Sequence, residues 1–129
     1  MNKQVAISVV VPAYNEEKLI GRCLTSLQNQ AFSKPYEIIV VDNNSTDKTV
    51  KIAREFNVRI VKEPNQGVVW ARQRGLLEAK GEIIAGADCD SQYPNDWLGK
   101  IYTHFLSDSR IVAVGGPGFP EKHPIWASW

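Results

Sequence analysis

Ile7-Ser8-Val9-Val10-Val11-Pro12-Ala13-Tyr14-Asn15-Glu16 is a β-branched run that stops against a proline and opens into polar residues. A short, nearly continuous apolar run of this kind fits a strand covered on both faces. The same pattern recurs along the chain. Glu37-Ile38-Ile39-Val40-Val41 ends in Asp42-Asn43-Asn44, and Val58-Arg59-Ile60-Val61 forms a third run. Glu82-Ile83-Ile84-Ala85 leads into Gly86-Ala87-Asp88, and Ile111-Val112-Ala113-Val114 leads into Gly115-Gly116. Helical spacing fills the intervals. Leu19, Cys23 and Leu27 share one face, with Ile20 and Leu24 beside them, and Asn15 is the expected N-cap ahead of Glu16 and Glu17. Ser45-Thr46-Asp47 opens a second helix carrying Val50, Ile52, Ala53 and Phe56. A third runs from Gly67 to Lys80 and is closed by Gly81 at the C′ position. Pro94 starts a fourth, with Trp97, Ile101 and Phe105 four residues apart. Five strands alternating with four helices predict an α/β domain, three layers deep, around a mainly parallel sheet.

Size and charge narrow the field. The chain has 129 residues, enough for one domain and too few for two. It is 43% apolar and 22% charged, as ordinary globular chains are. Fifteen basic residues against fourteen acidic ones leave a net charge of +1, so no footprint for nucleic acid is expected. No stretch is long and apolar enough to cross a bilayer. Val5 to Val11 lacks a signal-peptide cleavage site, so the mature chain is expected to begin at Met1. Two cysteines, Cys23 and Cys89, make no disulfide framework, and the expected compartment is the cytoplasm. Cys89, between two aspartates, is expected to be inert. The breaker-rich tail, Gly115-Gly116-Pro117-Gly118-Phe119-Pro120, changes the character of the chain. Residues 1–117 are therefore read as the core and 118–129 as a tail.

Ligands of open α/β sheets bind beyond the carboxyl ends of the strands. At those ends stand Pro12-Ala13-Tyr14-Asn15-Glu16, Asp42-Asn43-Asn44-Ser45-Thr46-Asp47, Glu63-Pro64-Asn65-Gln66-Gly67 and Asp88-Cys89-Asp90. Asp88 and Asp90 can aim two hard oxygen donors at one point, and two close carboxylates call for a cation between them. Mg²⁺ or Mn²⁺ fits, because such ions combine one or two carboxylates with phosphate oxygens. A solvated turn holding two aspartates is the plainer reading of that motif by itself. Asn43, Asn44 and Ser45 suit turn and cap positions, and Asp47 suits a helix's first turn. Asp42 has no obvious local partner, and its carboxylate could accept the N3–H of a uracil. Of the two arginines after Gly67, Arg72 is nearer the helix start and is the better site candidate, with Arg74 at the surface. Gly67 and Gly75 are expected at close backbone approaches or packing contacts. No phosphate loop and no dinucleotide fingerprint is present, which leaves neutralisation of a diphosphate to metal. His104 and His123 show no partner spacing. Trp70 and Trp97 are expected to be packing residues, while Trp126 and Trp129 end the chain in an apolar cluster.

With these pieces in order, the chain resembles the family 2 glycosyltransferases, which have the GT-A fold. The resemblance rests on Val9–Glu16, Ile39–Asp47, Asn65-Gln66-Gly67 followed by Ala71-Arg72, and Ala87-Asp88-Cys89-Asp90, and it covers residues 5 to about 117. It implies that Pro12, Ala13, Tyr14 and Glu16 line a nucleotide pocket, that Asp42 recognises the base, and that Arg72 approaches the nucleotide. It implies that Asp88 contacts the ribose or diphosphate and that Asp90, with Asp88, holds the divalent metal of a DXD motif. The implied activity is metal-dependent, inverting transfer of a sugar from a nucleotide donor, UDP-sugar favoured, to a glycan, lipid or small-molecule acceptor. Two departures are visible. The family often has a second aspartate where Asn43 stands. Its acidic general base comes from a later segment, and after Asp108 the only acidic residue here is Glu121. The chain therefore reads as a truncated GT-A unit whose catalytic base lies elsewhere. The Trp-rich tail becomes a candidate surface for dimerisation or for peripheral attachment at the inner face of a membrane. A nucleotide-sugar-binding module without turnover is the competing reading. A signalling receiver domain is disfavoured by Pro12-Ala13-Tyr14 and Gly115-Gly116, which replace the acids and lysine it needs.

Overall fold

A computed structural model describes residues 4–115. They form strands β1 (Ile7–Ala13), β2 (Tyr36–Asp42), β3 (Arg59–Lys62) and β4 (Ile83–Gly86), and helices α1 (Ile20–Gln28), α2 (Thr49–Ala53), α3 (Val68–Glu78) and α4 (Trp97–Ser107). The sheet is parallel throughout, in the order β3-β2-β1-β4. The chain steps outward from β1 to β3 and then crosses back to the other side of β1. The strand order therefore reverses between β1 and β4.

Period-two alternation assigns the layers. Val9, Val11, Ile38 and Val40 pack with Ile20, Leu24 and Leu27 of α1, Ala53 of α2 and Leu98 of α4. Val10, Ile39 and Val41 point the other way and pack with Ala71 of α3. Burying one such side chain contributes about 1.5–3 kcal/mol. A one-residue slip of β1 would exchange its two faces and forfeit several of these contributions at once. On the α3 face the fit is close, because a Cβ at Gly75 would stand 2.1 Å from Val10 Cγ1.

Pro12 lies inside the central strand rather than ending it. Val10 O accepts from Ala87 N–H, so the even-numbered residues of β1 face β4. Pairing with β4 ends at Val10–Gly86, and the donor that proline lacks falls where β4 has already left the ladder.

Several expectations change. Residues 111–115 form no strand, and Val112 and Val114 are exposed. A strand needs a neighbour to complete its hydrogen bonds, and none of the described residues pairs with the outer edge of β4. Helix α1 starts at Ile20, not after Asn15. Asn15 takes a φ of 51°, and its side-chain oxygen accepts from Thr46 N–H, so it joins two loops instead of capping. Helix α2 starts at Thr49, with Asp47 accepting from Thr49 N–H ahead of it. Helix α3 ends at Glu78, and Gly81 is not its left-handed cap. Glycine is needed there because a Cβ would lie 2.5 Å from Ser8 N. Trp70 is half exposed and no core residue, whereas Trp97 packs on Tyr93 at 4.2 Å and on the main core. No helix among the described residues is long and apolar enough to cross a membrane. The 118–129 tail, with Glu121, His123, Trp126 and Trp129, lies outside the described residues.

Candidate functional site

A cavity of about 420 Å³ opens where the strand order reverses. Pro12, Ala13, Tyr14 and Glu16 line it from the end of β1, and Asp88, Cys89 and Asp90 from the turn after β4. The remaining wall is Asn43 beyond β2, Gln66 and Gly67 from the loop after β3, and Val68 and Ala71 from α3. Its lining mixes small or apolar residues, Pro12, Ala13, Val68 and Ala71, with the polar residues Glu16, Asn43, Gln66, Asp88 and Asp90.

The Asp88-Cys89-Asp90 turn is anchored so that its two carboxylates face out. Cys89 is buried, while Asp88 and Asp90 are exposed on either side. Cys89 Sγ donates to Pro12 O at 3.2 Å, Cys23 Sγ donates to Asp88 O at 3.3 Å, and Asp88 N–H donates to the Tyr93 hydroxyl at 2.8 Å. Burial, reinforced by the carboxylates of Asp88 and Asp90, pushes the Cys23 thiol up to about 12. Burial pushes the Cys89 thiol higher still, helped by Cys23, Glu16 and both aspartates. Both sulfurs stay protonated and act as donors, and neither is a ready nucleophile.

Negative charge accumulates around the opening. Burial raises the Glu16 carboxyl above its usual range, and the Asp90 and Asp47 carboxylates raise it further. Asp88 is offset by Arg72, whose guanidinium donates to Asp88 Oδ1 at 2.7 Å. That arginine crosses Gly86, where a Cβ would come within 3.3 Å of its Nη1. Arg72 therefore stands at the rim through Asp88 and does not line the cavity. Arg74, expected at the surface, instead pairs with the buried Glu63 at 3.0 Å. The Asn65 N–H bond, opposed by burial and aided by Arg74, holds the Glu63 carboxyl below its usual range.

These features fit a divalent cation held by Asp90 and Asp88. The described residues contain no group of three metal-ligating side chains. A hard cation here would take the rest of its shell from phosphate and water oxygens. The unrelieved charge on Glu16 is the kind such an ion offsets.

At the end of β2 the structure divides what the sequence left together. Asp42 is 4% exposed, and its Oδ1 accepts from Ser45 N–H at 3.0 Å, a local partner the sequence did not reveal. It lies behind the wall, and Asn43 forms the wall itself. Asn43 and Gln66 lie in stretches that carry the family resemblance, but their local sequence suits turn positions and does not single out either as lining the cavity. One structural cue is the ladder, since Asn43 N–H donates to Ala13 O and carries the chain to the cavity edge.

Comparisons with known proteins agree with this fold. The profile of glycosyl transferase family 2 matches residues 8–126. Glycosyltransferase AglE of Haloferax volcanii is 34% identical over 117 residues, which are 85% of this chain and 38% of AglE. The crystal structure of S. aureus TarS 1–349 in complex with UDP superimposes with a TM-score of 0.76 at 29% identity, over 91% of this chain and 38% of that one. The mannosyltransferase PcManGT from Pyrobaculum calidifontis, in complex with GDP-Man and Mn²⁺, gives 0.72 at 29% identity, over 84% of this chain and 36% of that one. The chain thus spans less than two-fifths of the length of these three proteins.

Proposed function

The chain belongs to glycosyl transferase family 2, and from that premise we propose that its cavity holds the nucleoside diphosphate of a sugar donor, UDP-sugar being favoured. The observation that carries this reading is the pairing of Asp88-Cys89-Asp90 with Pro12–Glu16 across the reversal between β1 and β4. Tyr14, 51% exposed, and the small residues Pro12 and Ala13 offer an apolar and aromatic face to the nucleoside. Asp42 supports that end of the site from behind, through the turn it holds. Asp90, with Asp88 beside it, is the ligand for Mn²⁺ or Mg²⁺, and Arg72 is the cation nearest the diphosphate. A bound divalent ion supplies charge stabilisation for the departing diphosphate.

The reaction this assigns to the whole protein is displacement at the anomeric carbon by an acceptor hydroxyl, with inversion and release of the nucleoside diphosphate. No described residue is assigned as its general base. A module that binds donor without turnover is the competing reading. A donor-hydrolysis assay on the chain and on a longer form separates the two.

Titration calorimetry with UDP and GDP, with and without Mn²⁺, tests the site. The expected result is binding that strengthens with Mn²⁺, and loss of that enhancement in Asp90→Ala with the fold retained. Binding indifferent to the metal, or none with either nucleotide, removes the reading. The AglE, TarS and PcManGT likenesses support the nucleotide class, and the base and sugar are for this measurement to assign.

A further inference from the structure

Tyr93 follows the acidic turn, and Pro94 after it disfavours a helical backbone at that point. Its ring packs on Trp97, with 4.2 Å between centroids, and its hydroxyl reaches back to accept from Asp88 N–H at 2.8 Å. The segment that carries this ring is firmly held. Tyr93 N–H donates to Ser26 Oγ of α1 at 3.0 Å. Gln30 Nε2 donates to Pro94 O at 2.7 Å, and Gln30 Oε1 accepts from Leu98 N–H at 2.9 Å. Ala31 N–H donates to Asn95 O at 2.8 Å. Helix α1 and the residues just after it thus fix the 93–98 segment, and Tyr93 passes that hold on to the turn. Asp88 O accepts from Cys23 Sγ, again from α1. The Asp88 side chain is itself 60% exposed. Packing therefore does little to set its direction, which falls to the bonds of its own peptide groups and to Arg72.

From this we infer that Tyr93 is a positioning residue for the metal turn, whose hydroxyl holds the Asp88 peptide and so sets how Asp88 and Asp90 present their carboxylates. The inference rests on the metal and nucleotide reading of the cavity and deepens it, because Tyr93 acts from outside the lining. Mg²⁺ demands a near-ideal arrangement of its oxygen ligands, so a turn already set is a better pair of carboxylates than one that must be ordered as the ion binds. Tyr93→Phe keeps the ring on Trp97 and removes only the acceptor. Asp88 N–H then turns to water, and ordering the turn becomes part of the cost of binding the ion. The contacts that Pro12, Ala13 and Tyr14 offer a nucleoside lie on β1 and do not pass through this bond.

Calorimetry on Tyr93→Phe separates this role from a merely structural one. The factor by which Mn²⁺ strengthens UDP binding should fall about fivefold, the scale of one hydrogen bond. UDP binding without metal should stay within about twofold of wild type, since no nucleoside contact is removed. Ile39→Val is the control for stability alone. It trims a fully buried side chain in the α3 layer, and it should lower the melting temperature while leaving the Mn²⁺ factor as in wild type. Hydrogen exchange on the chain without nucleotide or metal completes the test, with the Asp88 amide exchanging about fivefold faster in Tyr93→Phe than in wild type. An unchanged Mn²⁺ factor in Tyr93→Phe, an equal loss with and without metal, a matching loss of the factor in Ile39→Val, or unchanged exchange at Asp88 overturns the inference. A wild-type chain that binds neither UDP nor GDP, or binds them without regard to Mn²⁺, overturns the reading of the cavity instead. Exchange at Asp88 then decides by itself whether Tyr93 holds the turn.

Discussion

The two ends of the sheet use similar residues and reach opposite electrostatic states. At the amino ends of β1 and β2, Ser8 is fully buried and its hydroxyl donates to Glu37 Oε1 at 2.6 Å. Ser8 Oγ also accepts from Gly81 N–H, and Glu37 Oε1 accepts from Lys80 N–H. Arg59 bridges Glu37 and Glu78 at 3.2 and 3.0 Å. Burial pushes the Glu37 carboxyl up, but Ser8, the Lys80 N–H and Arg59 together bring it below its usual range. At the carboxyl ends, Glu16 has no such set of donors, and burial with Asp90 and Asp47 holds it above that range. The lower end pairs its carboxylates, although Arg59 Nε stays buried without a partner, and the upper end leaves carboxylate charge for something else to satisfy. A fold spends its internal partners where only stability is at stake and leaves them unmade where a ligand enters.

The largest expected effect breaks the closed end. Gly81→Ala drives a Cβ to 2.5 Å from Ser8 N and 2.8 Å from Ile7 C, backbone atoms that cannot rotate away. Urea denaturation should show a loss of about 3 kcal/mol, at the upper side of overpacking costs. A loss under about 0.5 kcal/mol, within the range of surface changes, would show that the α3–β4 connection is loose.

Ser8→Ala sharpens the comparison. It strips a donor from Glu37 and an acceptor from Gly81 N–H, for an expected loss of about 2 kcal/mol at neutral pH. The pH dependence gives a second check. A carboxyl held low in the folded state adds stability above its ordinary value of 4.5, and that stability is lost as pH falls through the lower folded value. The gap between wild type and Ser8→Ala should therefore narrow on acidification. A gap that widens contradicts the role given to Glu37.

Glu16→Gln is the smallest and has the opposite sign. A carboxyl raised in the folded state binds more protons there than in the unfolded chain. Its contribution to stability accordingly falls as pH rises above 4.5 toward the raised value. Removing the charge should stabilise the nucleotide-free chain at neutral pH by about 0.5 kcal/mol, within the range of ordinary surface changes. Thermal melts at pH 5 and 8 should show the larger gain at pH 8. A loss at pH 8 would place an unrecognised cation partner beside Glu16.

Much of this was legible in the residues. The apolar runs located β1 to β4, and the polar groups after them fall at the cavity, because a strand covered on both faces must be apolar until it leaves the sheet. Ile111–Val114 has the same composition and forms no strand among the described residues, because composition supplies no partner for the ladder. Asn15 looked like a helix cap and Asp47 like a first-turn acid. Each bonds across loops that are distant in sequence, Asn15 to Thr46 and Asp47 to Glu17 N–H.

The sequence by itself determined the α/β alternation, the family and the acidic turn of Asp88 and Asp90. These follow from periodicity and from short motifs, which need no knowledge of what lies across the sheet. Only the tertiary structure decided that Asp42 turns inward to Ser45 while Asn43 faces the cavity, and that Arg72 reaches Asp88 while Arg74 reaches Glu63. Adjacent or near-adjacent residues of similar chemistry were separated by the direction in which the backbone points them. That direction is set by the order of the strands and the packing of α3, which no local stretch of sequence contains.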